Sequence, residues 1–144
     1  IISRLKNKGC QFEDLEHTAV ITSEDAAQVR KTKLAEGVKA IILRGKHTGK
    51  NVMVCVPADQ KVDLKVVETL EQEKFEFENT ETIKNKYGLE VGAIPPFGNL
   101  LGMTTYFDKR LLAEPRAAFN AGSTTRSVIM SSQDLVELIN PVMI

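Results

Sequence analysis

Apolar residues in this chain come in short blocks of changing period, so the elements they predict are short. Val38-Lys39-Ala40-Ile41-Ile42-Leu43 and Asn51-Val52-Met53-Val54-Cys55-Val56 predict two strands. The polar, glycine-punctuated stretch from Arg44 to Lys50 joins them as a β-hairpin, and Pro57 ends the second strand. Strict alternation in Phe75-Glu76-Phe77-Glu78 predicts a half-buried strand. Further short strands are predicted at Gln11 to Glu16, Thr104 to Asp108, Ala117 to Asn120 and Ser127 to Met130. Helix starts are marked by side chains able to accept from the first-turn N–H groups. Thr22 opens a helix carrying Ala26, Ala27 and Val29 that stops near Lys33, with Glu24 and Asp25 suited to its positive end. Asp63 opens one with Leu64, Val67 and Leu70 on one face. Thr80 opens a third that ends at Gly88, and Ser131, with Asp134 three residues on, opens the last. Ile1, Ile2 and Leu5 predict the end of a further amphipathic helix closed by Gly9.

Short strands among scattered helices, without regular βαβ alternation, predict a mixed α/β fold. Its sheet is mostly antiparallel, or a partial barrel, with helices around it. No repeat or linker divides the 144 residues, which are expected to form a single domain over 1–144. A composition of 42% hydrophobic and 26% charged residues is that of an ordinary globular protein. No apolar run approaches the ~20 residues that span a bilayer, and the first residues lack the apolar core of a secretory signal. Cys10 and Cys55 are too few for a disulfide scaffold. These features predict a cytoplasmic protein with no membrane partner.

Charge adds a restriction and a pattern. With 19 basic and 19 acidic residues the chain cannot bind DNA by blanket phosphate neutralisation, although contact with a few nucleotides still fits. The charges are segregated. Arg30 to Lys50 holds seven basic residues and one acid, and Glu71 to Glu81 holds five acids and one lysine. The basic stretch reads either as the approach for a nucleic-acid end or as solvated hairpin surface.

The common catalytic signatures are missing: no G-x-S-x-G, no H-E-x-x-H and no paired C-x-x-C occur. Gly45 to Lys50 has the wrong spacing for a phosphate loop. A zinc site would need Cys10, His17, His47 and Cys55 to converge at no standard spacing, and Cys55 reads as a small core residue, so no metal or cofactor is expected. Lys39 admits two readings, a strand lysine pointing to solvent or a point charge at the mouth of a pocket. Gly92-Ala93-Ile94-Pro95-Pro96-Phe97-Gly98 is a stiff turn, or a loop offering backbone N–H groups to a ligand. Asn120-Ala121-Gly122-Ser123 likewise reads as a plain turn or a pocket wall.

Taken in order, Glu36 to Leu43, Pro57-Ala58-Asp59 with Val62 to Lys65, Gly92 to Gly98 and Ala118 to Gly122 resemble the YbaK / prolyl-tRNA synthetase editing-domain family, from about Phe12 to Leu138. The likeness is greater to free-standing, trans-editing members than to the synthetase insert. It implies an aminoacyl-tRNA deacylase that hydrolyses the ester joining a wrong, small amino acid to the terminal adenosine of tRNA. It implies no cofactor, and chemistry that leans on the substrate, a ribose hydroxyl or a substrate side chain helping to activate or replace the water. By resemblance, Lys39 is the key polar residue, taking the terminal phosphate and ribose. Gly92, Ala93, Ile94, Pro95 and Pro96 border the pocket with Asn120, Ala121 and Gly122, and backbone N–H groups near Gly92 and Gly122 polarise the ester carbonyl. Thr22 and Ser23 fall where the family places polar wall residues. Some relatives carry a histidine after Asn-Ala-Gly. Here the residues are Ser123 to Ser127, which leaves Ala, Ser, Thr and Cys as candidate amino acids. The competing expectations are a non-catalytic module that binds the tRNA acceptor end, including an editing domain cut from a larger synthetase-like protein or working beside a synthetase partner, and a small-ligand binder reusing the fold.

Overall fold

A computed structural model describes Gly9 and residues 11–19, 22–90 and 92–144. The helix expected over Ile1, Ile2 and Leu5 lies outside the described residues. In chain order the elements are β1 (Phe12–Glu16), α1 (Ser23–Arg30), a 3-10 turn (Leu34–Glu36), β2 (Val38–Gly45), β3 (Asn51–Pro57), α2 (Leu64–Glu71), β4 (Phe75–Phe77), α3 (Thr80–Tyr87), a second 3-10 turn (Gly98–Leu101) and β5 (Thr104–Phe107). A third 3-10 turn (Lys109–Ala113), β6 (Arg116–Ser123), β7 (Arg126–Ser131), α4 (Ser132–Ile139) and β8 (Val142–Met143) complete it.

All seven residues of β3 are buried, which explains its unbroken apolar run. Successive side chains point to opposite faces, and each face meets its own cluster. Met53 and Cys55 pack with Phe97, Phe107, Phe119, Val128 and Leu135. Val52, Val54 and Val56 pack with Leu43, Val67, Phe75 and Tyr106. Each fully buried side chain of this size contributes ~1.5–3 kcal/mol. Around β3 a five-stranded sheet runs β4-β2-β3-β5-β8, and β1-β7-β6 form a second sheet. The hairpin pairs β2 and β3 antiparallel, Lys39 opposite Val56. β5 and β8 add in parallel, while the β1–β7 and β6–β7 pairs are antiparallel. The fold is therefore mixed α/β, mostly antiparallel, as two open sheets without barrel closure. A parallel bridge between Gly37 and Ala118 joins the sheets.

Local chemistry sets the helix starts. The side chains of Thr22, Asp63 and Ser131 accept from the N–H groups of Asp25, Lys65 and Asp134. Several details depart from the sequence expectation. α1 ends at Arg30, because Lys31 takes a left-handed conformation with φ 59°, and its buried residues are Ala26 and Arg30, with Val29 exposed. Leu70 is exposed although Val67 of the same helix is fully buried. Phe77 is 61% exposed, lying outside the cluster that covers Phe75. β6 also continues through Ser123 with an irregular register after Asn120, so the turn falls at Thr124 and Thr125.

The segregated charges meet in the fold. Arg44 pairs with Glu76 at 3.1 Å and Lys50 with Glu71 at 2.6 Å. Glu73 accepts from the hairpin-tip N–H groups of His47 and Thr48. The acidic segment therefore covers much of the hairpin's positive charge.

Glu36 fastens the start of β2 to β6. Its carboxylate accepts from Arg116 Nε at 2.9 Å and from the Lys33 N–H at 2.8 Å. The Arg116 hydrogen bond, offset in part by burial, holds its pKa below the ordinary glutamate value. A depressed folded-state pKa gives stability that is present above the unfolded value and lost as pH falls through the folded one. Urea unfolding is therefore expected to show a smaller loss of stability between pH 6 and the acid range for Glu36→Gln than for the wild type. Identical pH slopes for the two proteins would contradict this role.

Candidate active site

The cleft forms where β2 has a free edge. β4 pairs only with Leu43, Arg44 and Gly45, so the first half of β2 has no strand along that side. Val38, Lys39, Ala40 and Ile41 line the cleft there, and Gly37 and Ala58 close its end. Thr22, Ser23, Ala26 and Arg30 of the α1 region form the facing wall, and Gly92, Ile94 and Asn120 complete it. Its volume is about 250 Å³, room for a small side chain and a ribose rather than a nucleic-acid helix. Gly37 suits a position this close to its neighbours, since a Cβ there would stand 3.1 Å from the Ala58 Cβ and 3.2 Å from the Leu34 carbonyl oxygen.

Of the residues singled out from the sequence, Lys39, Thr22, Ser23, Gly92, Ile94 and Asn120 come together around this cleft. Ala93, Pro95 and Pro96 are buried and are not among the lining residues. Ala121 and Gly122 lie beyond Asn120 on β6, outside the lining, with Gly122 exposed. The Gly92 to Gly98 segment thus offers one exposed glycine. From Ala93 onward it is core: Phe97 is 1% exposed and packs edge-on against Phe119, with ring centroids 5.7 Å apart. Gly98 is fixed by packing, because a Cβ there would stand 2.2 Å from Thr105 Oγ1.

Lys39 lines the cleft, and its half-buried Nζ donates to the Gln60 carbonyl at 2.8 Å, a bond that uses one of its three N–H donors. On the opposite wall lies a polar network that the sequence reading missed. Arg30 donates from Nε to Ser127 Oγ at 2.8 Å and from Nη2 to Asn120 Oδ1 at 2.9 Å. Asn120 in turn donates from Nδ2 to the Gly92 carbonyl. His17 sits behind them, its Nδ1 at 2.7 Å from the Thr18 carbonyl and its Nε2 at 2.7 Å from Ser127 Oγ. The carbonyl can only accept, so Nδ1 carries a proton, and in the neutral ring Nε2 accepts from the Ser127 hydroxyl. Burial lowers the Arg30 pKa to about 10, which leaves the guanidinium charged at neutral pH. The available signal for Arg30 was its spacing: it lies four residues after Ala26, on the same face of α1. Cys55 is buried in the core, and burial pushes its thiol pKa up, away from nucleophile or ligand duty. Among the described residues no three His, Cys, Asp or Glu side chains are placed to hold a metal ion, and no helix is long and apolar enough to cross a membrane.

The cleft on the strand edge thus holds one lysine and one arginine. Residues 17–138 match the model of the aminoacyl-tRNA editing domain, and the chain belongs to that family. Its reaction is hydrolysis of the ester of a mischarged aminoacyl-tRNA. The Multifunctional Ser/Thr-tRNA deacylase ProXp-y of Escherichia coli K12 is 29% identical over 152 residues, covering 98% of this chain and 87% of that protein. The Prolyl-tRNA editing protein ProX of Acetoanaerobium sticklandii is 26% identical over 144 residues, covering 96% and 88%. The crystal structure of hypothetical protein APE2540 superposes with a TM-score of 0.88 at 20% identity, covering 99% of this chain and 95% of that one, a likeness of fold.

Proposed function

We propose that this chain removes small amino acids, with serine and threonine foremost, from the acceptor end of tRNA in the cytoplasm, acting on the product of a synthetase's error. The cleft at the free edge of β2 carries this reading: it admits a small side chain, presents Lys39, and has Thr22 and Ser23 on the facing wall to meet a hydroxyl. The name of the ProXp-y relative supports the same substrates. In this reading Lys39 holds the terminal phosphate and ribose, Ile94, Ala40 and Ala58 enclose the side chain, and Asn120 holds the Gly92 backbone against the ester. The roles of Ala93, Pro95, Pro96, Ala121 and Gly122 are to set the shape of that wall from behind or beside it.

The reaction needs only water as co-reactant. Its oxygen bonds to the ester carbonyl carbon, the carbonyl electron pair moves onto oxygen, and collapse of that oxyanion breaks the bond to the ribose oxygen. The ribose leaves as its hydroxyl, carrying a proton from the water, and the free amino acid is released. A substrate hydroxyl close to the water takes the proton in transit. One methyl is worth only ~1–3 kcal/mol in such a pocket, so related small side chains should be separated modestly. Incubation with Ala-, Ser-, Thr- and Cys-charged tRNAs is expected to release Ser and Thr fastest, by no more than about 10–200-fold over the next. A folded sample that releases none of the four would end the proposal.

A further inference from the structure

We infer that Arg30 is a catalytic residue of this site, its guanidinium stabilising the oxyanion that develops on the ester carbonyl oxygen during hydrolysis. The inference rests on the deacylase reading above and names a group that the reading leaves open.

Arg30 is 8% exposed, yet among the described residues no carboxylate pairs with it. Its hydrogen bonds go to neutral oxygens, those of Ser127 and Asn120. A buried cation held only by neutral groups is costly, and an arriving negative charge offsets that cost. Of the five guanidinium donors, one on Nε and one on Nη2 are engaged by these bonds, which leaves one on Nη2 and two on Nη1. Nη1 lies 3.8 Å from the point where a Cβ on Gly37 would stand, and both residues line the cleft.

Depth decides which anion it meets. The phosphodiester carries the rest of the tRNA and stays at the accessible side, with half-buried Lys39. The ester carbonyl travels inward with the amino acid, toward buried Arg30. Of the two glycines that resemblance implies as backbone donors to that oxygen, Gly122 lies outside the lining. The Ser127, Asn120 and His17 network then has a purpose, since it holds the guanidinium plane fixed before the charge appears.

Two measurements test this. Single-turnover hydrolysis of Ser- and Thr-charged tRNA by Arg30→Met should show a rate constant lower on the order of 10²-fold. The concentration giving half-maximal rate should be little changed, and Arg30→Lys should recover part of the rate. A raised half-maximal concentration with an unchanged rate constant would assign Arg30 to the phosphate and overturn the inference, as would unchanged kinetics. The second measurement uses the wild-type protein and holds even if the variants fail to fold. A seryl-adenosine mimic with an anionic tetrahedral phosphonate should bind at least about tenfold tighter than the neutral amide mimic, and equal affinities would overturn the assignment. A wild type inactive on all four charged tRNAs would instead remove the deacylase reading, so the two failures are distinguishable.

Discussion

Replacing Lys39 with alanine is expected to raise the concentration of charged tRNA giving half-maximal single-turnover deacylation on the order of 10–10²-fold, and to slow deacylation at subsaturating tRNA accordingly, while leaving the fold unchanged. The ammonium is half-buried, and the hydrogen bond it makes is to the Gln60 carbonyl, so truncation removes about 1 kcal/mol of folding free energy at most. In the proposed reading, the charge it removes is the one the cleft presents to the terminal phosphate and ribose. Lys39→Arg should not restore the wild-type rate, because a planar fork does not replace a point charge seated between Gln60 and the strand edge. Circular dichroism and a thermal melt alongside the kinetics separate the two effects. A Lys39→Ala protein that turns over at the wild-type rate would refute the assigned role.

The largest expected stability effect belongs to Phe97→Ala. Phe97 is 1% exposed and meets Phe119 edge-on, so the change leaves a cavity between the Gly92 to Gly98 segment and the second sheet. Such truncations cost ~3–5 kcal/mol, a large share of the ~5–15 kcal/mol that a domain has. For a chain of this size a fall in Tm of at least about 6 °C follows. A melt within 2 °C of the wild type would mean that the segment is not anchored as described.

The parts of this fold that were legible in the sequence are those decided locally. The β2–β3 hairpin follows from two apolar runs around a glycine-punctuated loop, and the caps at Thr22, Asp63 and Ser131 follow from side chains within reach of their own helix's N–H groups. The parallel additions of β5 and β8 were not legible, because they depend on partners more than thirty residues away. Leu70 and Phe77 have the right period and are exposed, because period shows which residues share a face and not how far the cover extends. The charge blocks were visible, but their destination was not: Arg44 and Lys50 meet Glu76 and Glu71. In the site, Lys39, Gly92 and Asn120 could be named because they stand in motifs of fixed order. Arg30 was missed because an arginine at a helix end ordinarily faces water and complements the helix dipole. Only the β6–β7 sheet brings Ser127 and Asn120 to it.

The free edge of β2 has a consequence for how such a domain changes its substrate. The same strand lies in the core through Ile42 and Leu43, so the backbone along the cleft is held by the interior. Ala40, Ile41, Ala58 and Ile94 are among the residues that line the cleft on this fixed frame. In the proposed reading, exchanging one of them for a residue of another size would alter the room for the amino acid without moving Lys39 or Arg30. On that reading, new preferences would arise from one or two substitutions, each leaving the ester where Lys39 and Arg30 hold it.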